Sequence, residues 1–324
     1  MEFQKLQPFI EKTWNITIQD VTMVRNADKH IFEINTSAQS YILKGEKQIV
    51  QEVEAYCQFA NALQNALPVS AYLPTTNLNF AAQKNDFVYT LEQKGMGEEI
   101  QQLNDAQIEA MGALLGKLHA YSLKHQLALQ KATSWSMFGG NATMAIGDYD
   151  ENELSFLDFK KAVQHVEAFP TIEQLYNAHR SLLKQHWATL PKAATQGDFC
   201  YYNMLFENNN ISAIFDFNLA GDEVLLNECI AAAIYCCWHT AYLGKLCAEE
   251  RYQLFINAYQ QFRPWTSLEI DLASPLFAII RAFRYDRVEQ GIANSAQHEQ
   301  FLQQTKGILD TDHSKLIMSM EDYK

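Results

Sequence analysis

The chain has 324 residues, 48% of them hydrophobic and 12% aromatic, and a formal net charge of −13. That length exceeds what one small core needs and accommodates two lobes, while the composition is that of a packed globular protein and excludes intrinsic disorder. No charge-free apolar run reaches the roughly 18 residues of a membrane span, and the acidic balance disfavours nucleic acid and anionic membrane as partners, since both reward clustered Lys and Arg.

Residues 1–92 read as a small N-terminal lobe. The opening Met1 to Leu6 lacks the basic and apolar regions of a signal peptide, so a cytoplasmic location is expected. An early helix is followed by alternating apolar and polar residues over 16–24 and 31–34, which predict two strands, and Tyr41-Ile42-Leu43-Lys44 predicts a third that ends in a lysine. Residues 49–63 have helical spacing, with Val53, Tyr56, Ala60 and Leu63 on one side and Glu52 near the first turn. A glutamate on the helix after a strand-end lysine suits an ion pair that holds a phosphate-binding lysine, so Lys44 and Glu52 are the expected pair, with Glu54 as the competitor. Residues 86–92 predict another strand. The two glycines of Gln93-Lys94-Gly95-Met96-Gly97 then mark a hinge between lobes, whose backbone near Glu92, Gln93 and Lys94 is free to meet a purine.

Residues 98–324 read as a mainly helical C-terminal lobe. Asn104-Asp105-Ala106-Gln107 opens a helix with a capping box, and an apolar stripe of Ile108, Met111, Leu115 and Leu118 leads to His119, read as a satisfied core histidine because no acidic partner stands near it in sequence. Residues 131–160, with Asp148, Asp150, Glu151 and Glu153, read as a solvated acidic loop. Further helices are expected over 169–190, 228–246, 248–262 and 272–291; on the last, Arg281, Arg284 and Arg287 recur every three residues and are expected to form salt bridges. The six cysteines show no zinc-ligand spacing and are read as reduced core thiols.

The stretch 195–217 carries the chemistry. Met204 to Phe206 and Ile211 to Phe215 are short apolar runs, and Glu207-Asn208-Asn209-Asn210 between them has the composition of a turn. If the turn centres on Asn209 and Asn210, antiparallel pairing sets Asn203 opposite Asp216, with Asp198 on the loop leading in. Two oxygen ligands of this kind suit magnesium, which takes its remaining ligands from water and substrate phosphates, and one acid is left over to accept a proton. Phosphoryl transfer is the function this pattern favours. Tyr201, Tyr202, Asp222, Glu223 and Tyr285 are candidates to line an acceptor pocket, each equally consistent with a packing role.

At Leu115-Gly116-Lys117-Leu118-His119, at Gln196-Gly197-Asp198 with Asn203, and at Ile214-Phe215-Asp216-Phe217 the sequence resembles the aminoglycoside phosphotransferase-like kinases, which include choline kinases and one class of homoserine kinases. The resemblance implies an α+β, bilobal protein-kinase-like fold: a small lobe with an antiparallel sheet plus a helix, a larger helical lobe, and ATP or GTP between them. Carried over by position, Asp198 is the catalytic base, Asn203 and Asp216 hold magnesium, and Lys44 meets the phosphates, held by Glu52. The substrate implied is a small-molecule hydroxyl acceptor: an aminoglycoside, an amino alcohol or a homoserine-like compound. A Ser/Thr protein kinase and a nucleotide-binding regulatory protein with impaired catalysis remain the alternatives. Two departures bear on activity: Gln196 stands where the family has histidine, and residues 25–30 contain no glycine to cradle phosphate.

Overall fold

The computed structural model describes residues 3–26, 29–133, 135–139, 150–294 and 298–317. Their backbone divides into two compact units, Met1–Ile100 with Tyr202–Asn218, and Gln101–Tyr201 with Leu219–Lys324.

In the first unit, alternation decides the sheet. Strands β1 (Asp20–Asn26), β2 (His30–Asn35), β3 (Ser40–Glu46), β4 (Ala81–Lys84) and β5 (Phe87–Gln93) form one antiparallel sheet in the order β1-β2-β3-β5-β4. Along β2 and β3 every second residue is buried, the period of a sheet with one face covered. The cover is α1 (Phe3–Trp14), whose Leu6, Ile10 and Trp14 recur at four-residue steps and meet Phe32, Ile34, Leu43 and Leu91. Each such side chain, fully buried, contributes about 1.5–3 kcal/mol. The helix α2 (Val50–Leu63) is tied to the segment that follows it by Asn61, which exchanges two hydrogen bonds of 2.8 Å with the Tyr72 backbone.

The hairpin of β7 (Met204–Glu207) and β8 (Asn210–Ile214), expected in the C-terminal lobe, belongs to this first unit. A two-stranded hairpin is marginal alone. It is completed by Ile214 N–H donating to Pro68 O at 2.6 Å, Ser70 N–H to Ile214 O at 2.9 Å, and a pair of 2.9 Å bonds between Glu98 and Phe206. The glycines of the segment expected as a hinge lie against this hairpin. A Cβ at Gly95 would strike the Ala213 side chain, and Gly97, at φ 113°, lies against the Phe206 carbonyl.

The second unit carries, in chain order, α3 (Asp105–Lys124), α4 (Glu151–Val163), α5 (Phe169–His186), the strands β6 (Lys192–Thr195) and β9 (Gly221–Val224) paired with each other, then α6 (Leu225–Trp238), α7 (Ala248–Gln260), α8 (Ser267–Ala282), α9 (Tyr285–Ala293), α10 (His298–Asp310) and α11 (Ser314–Ile317). The capping box at Asn104 forms as expected, with Gln107 N–H on Asn104 Oδ1 and Asn104 N–H on Gln107 Oε1, both at 3.0 Å. The acidic run does not read out as a loop: Asp150 accepts from Glu153 N–H at 3.0 Å, caps α4 and pairs with Arg180 at 2.6 Å, because acids are favoured where a helix exposes its N–H groups. Asp148 lies outside the described residues. The helix expected over 272–291 is broken at Phe283, which is fully buried against Phe156, Phe159 and Tyr176. Among the described residues no helix is long and apolar enough to cross a membrane.

Candidate active site

The β7–β8 hairpin pairs Met204 with Ile214 and Glu207 with Asn210, and its register shifts between Leu205 and Phe206. The turn residues are Asn208 and Asn209 rather than Asn209 and Asn210, which shifts the register by two, and the bulge restores one of the two. Asn203 lies opposite Phe215, whose N–H donates to Asn203 O at 3.1 Å, rather than opposite Asp216 as the sequence suggested. Asp216 is the next residue and leaves the strand with φ 61°, a left-handed conformation that Asp tolerates better than most side chains. Asn203 is buried, while the Asp216 side chain is 35% exposed. An amide and a carboxylate at one hairpin end are hard oxygen donors. Among the described residues no group of three or more His, Cys, Asp or Glu could hold a metal, so a closed metal cage is not built; the donor set fits an ion that keeps water and takes substrate oxygens.

Lys44 stands beside this end, its Nζ 3.4 Å from Asp216 Oδ1, 3.2 Å from Glu92 Oε2 and 5.7 Å from the centre of the Phe215 ring. The expected ion pair with Glu52 is not the one formed. Glu52 is exposed on α2, whose buried side carries Val53, Tyr56 and Cys57, and the carboxylates that raise the Lys44 pKa are Glu92, Asp216 and Glu46, which together outweigh its burial. Glu54, the competitor, accepts Phe80 N–H at 2.7 Å and Ala81 N–H at 3.0 Å through one oxygen. Burial pushes the Glu92 carboxyl up, and Lys44 opposes that shift.

The segment expected to meet a purine through its backbone has two of its N–H groups bonded within the chain. Gln93 N–H donates to Ala71 O at 2.8 Å and Lys94 N–H to Ser40 O at 3.1 Å, because β5 continues through Gln93. In the turn between β1 and β2, Asp28 lies outside the described residues; His30, which closes it, is buried, stacked on Phe87 at 4.0 Å and bonded to the Tyr89 hydroxyl at 2.7 Å.

Asp198 belongs to the second unit, on the loop that leaves β6, and the backbone of that loop is fixed from three sides. Gln196, fully buried, accepts Asp198 N–H on Oε1 at 2.7 Å, so the residue that replaces histidine acts as a loop brace. Gly197 has φ 84°, and a Cβ there would collide with the Leu219 carbonyl. Its N–H donates to Glu228 Oε1 at 2.6 Å. The other Glu228 oxygen lies 2.7 Å from His119 Nε2, and His119 Nδ1 lies 2.7 Å from the Tyr259 hydroxyl. A carboxylate only accepts, so Nε2 carries the hydrogen and Nδ1 accepts from Tyr259; burial pushes the imidazole pKa down and keeps it neutral. The acidic partner that the sequence did not offer His119 comes from 109 positions away.

The acceptor-pocket candidates separate. Asp222 accepts Leu129 N–H at 2.7 Å and Gln130 N–H at 2.8 Å, and Glu223 is buried, bonded by the Thr133 hydroxyl at 3.2 Å and pushed up to about 7 by desolvation; both are braces of the segment before 139. Tyr202 and Tyr285 are exposed and Tyr201 is buried. Of the three arginines, Arg284 pairs with Asp286 at 3.1 Å, Arg287 donates to Ala282 O at 2.7 Å and Thr305 Oγ1 at 3.0 Å, and Arg281 lies 5.1 Å from the Trp238 ring centre. Five cysteines are buried free thiols and Cys247 is an exposed one.

The profile of the phosphotransferase enzyme family matches residues 24–265. Among solved structures, an amicoumacin kinase in complex with AMP-PNP, calcium and its ligand is similar over 96% of this chain and 94% of its own, with a TM-score of 0.66 and 14% identity. A putative aminoglycoside phosphotransferase from Ralstonia eutropha is similar over 98% of each chain, with a TM-score of 0.57 and 14% identity. An aminopropanol kinase associated with a microcompartment covers 95% of this chain and 94% of its own at a TM-score of 0.56 and 11% identity. At these identities the likeness is one of fold. No curated protein matches the sequence.

Proposed function

This chain belongs to the phosphotransferase enzyme family, and we propose that it transfers the γ-phosphate of ATP, with GTP as the alternative donor, to a hydroxyl of a small molecule in the cytoplasm. The observation that carries the reading is the cluster at the hairpin end: a part-buried lysine 3.4 Å from a carboxylate that shares its hairpin with Asn203. A fixed cation beside two hard oxygen donors is what a triphosphate and its counter-ion require.

In this reading Lys44 offsets charge on the phosphates, and Asn203 and Asp216 hold magnesium. When bound, the metal neutralises charge on the phosphate oxygens as the bond to the leaving group lengthens. Asp198 accepts the proton of the acceptor hydroxyl and orients its oxygen for in-line attack. Gln196 and Glu228 supply no charge to the reaction; they hold the loop backbone so that Asp198 spends no reorganisation energy in the transition state. Aminoglycosides, amino alcohols and homoserine-like compounds are the acceptor classes proposed, with amicoumacin added by the name of one similar kinase.

The test is ADP release from ATP with magnesium against pooled acceptors of these classes, for the unmodified chain and for Asp198→Asn. Acceptor-stimulated release that falls by about two to four orders of magnitude in the variant, with nucleotide affinity unchanged, supports the assignment. Unaltered turnover in Asp198→Asn removes Asp198 from the role, and nucleotide binding without release in every pool returns the chain to the binding-only alternative.

A further inference from the structure

The Lys44 partner is where this chain departs from its own sequence reading, and the departure has a functional consequence. Helix α2 offers Lys44 no acid: its buried side is Val53, Tyr56 and Cys57, Glu54 accepts the Phe80 and Ala81 N–H groups, and the carboxylates that raise the Lys44 pKa are Glu92, Asp216 and Glu46. The sheet supplies one instead. In the β3–β5 register Ile42 pairs with Glu92 and Lys44 with Thr90, so Lys44 and Glu92 share a face as diagonal cross-strand neighbours, within reach of long side chains.

Resting on the nucleotide reading above, we infer that Glu92 is the residue that positions Lys44 for the nucleotide phosphates, a task the sequence had assigned to α2. Three observations support this. Glu92 is 2% exposed whereas the Asp216 side chain is 35% exposed, so Glu92 is the enclosed anchor and Asp216 the acid open to ligands. The Tyr72 backbone bridges antiparallel to Glu92, and the Tyr72 ring packs edge-on to Tyr56 at 5.9 Å, which fixes the chain around the acid. A buried ion pair contributes little net stability, because desolvation offsets the attraction, so stability alone does not account for a carboxylate at this depth.

The experiment measures the dissociation constant of ATP with magnesium, and kcat where an acceptor is in hand, for the unmodified chain and for Glu92→Gln, Glu52→Gln, Lys44→Met and the double variant Lys44→Met with Glu92→Gln. Glu92→Gln keeps the side-chain shape and removes the charge. It is expected to weaken nucleotide binding by roughly five- to 100-fold, the range for directly coupled pairs. Glu52→Gln is expected to leave binding unchanged, and Glu92→Gln to add nothing once Lys44 is already Met. Should Glu92→Gln fail to fold, Glu92→Asp, which keeps the charge and draws the carboxylate back from Lys44, is expected to weaken binding by a smaller factor in the same direction. Unmodified affinity in a folded Glu92→Gln, a larger loss in Glu52→Gln, or losses that add fully in the double variant each overturn the assignment. Absence of nucleotide binding by the unmodified chain overturns the parent reading and this one with it.

Discussion

The two units hold their candidate functional groups by different physical means. In the first, Lys44, Glu92 and Asp216 are held by one another: three formal charges within 3.4 Å contacts, one acid enclosed and one acid half open. In the second, the Asp198 loop is held by its backbone, through Gln196, a positive-φ glycine and the buried Glu228–His119–Tyr259 chain. A charge cluster adjusts its electrostatics when a ligand arrives. A backbone clamp offers one geometry or none, because each buried donor left without an acceptor carries a desolvation cost. The first arrangement suits a site that exchanges ligands, the second a group that must not move.

The sharpest way to break this contrast is Glu228→Ala, which leaves Gly197 N–H and His119 without an acceptor; stability should fall by about 2–6 kcal/mol, at about 1–3 kcal/mol for each orphaned donor, and calorimetric unfolding measures it. A loss below about 1 kcal/mol would mean the clamp is ornamental. Next is Glu223. Its pKa rises from 4.5 unfolded to about 7 folded. The folded state therefore binds its proton more tightly, and stability present at low pH is lost as pH rises through that window. At about 1.4 kcal/mol per unit this is roughly 3 kcal/mol, and Glu223→Gln should flatten that part of the pH profile of unfolding. Gln196→Leu removes one buried brace and should cost about 1–3 kcal/mol, with turnover reduced and nucleotide affinity retained. Smallest in stability is Asp216→Asn, whose half-exposed side chain and left-handed backbone suit Asn; denaturant unfolding should shift by no more than about 0.5–1 kcal/mol while magnesium-dependent stabilisation by ATP disappears. A destabilisation as large as that of Glu228→Ala would erase the difference between the units.

Local signals carried far in this chain. Alternation located β2 and β3, and the Asn104 capping box located the start of α3. The failures share one cause. Helix spacing identifies α2 and points to Glu52 as the partner of Lys44, whereas the acid that meets Lys44 is Glu92 on β5. The acids before α4 were legible as acids but not as a cap, since capping depends on the helix that follows.

The sequence by itself determined the family, through the motifs in which it resembles its relatives, and the α+β class, through periodicity along the chain. Only the tertiary structure decided the partners: Glu92 for Lys44, Glu228 for His119 and for Gly197, and Phe215 rather than Asp216 opposite Asn203. Register between strands, a single bulge and the burial of one helix face set which charges meet, and none of these is written in the order of residues along one strand.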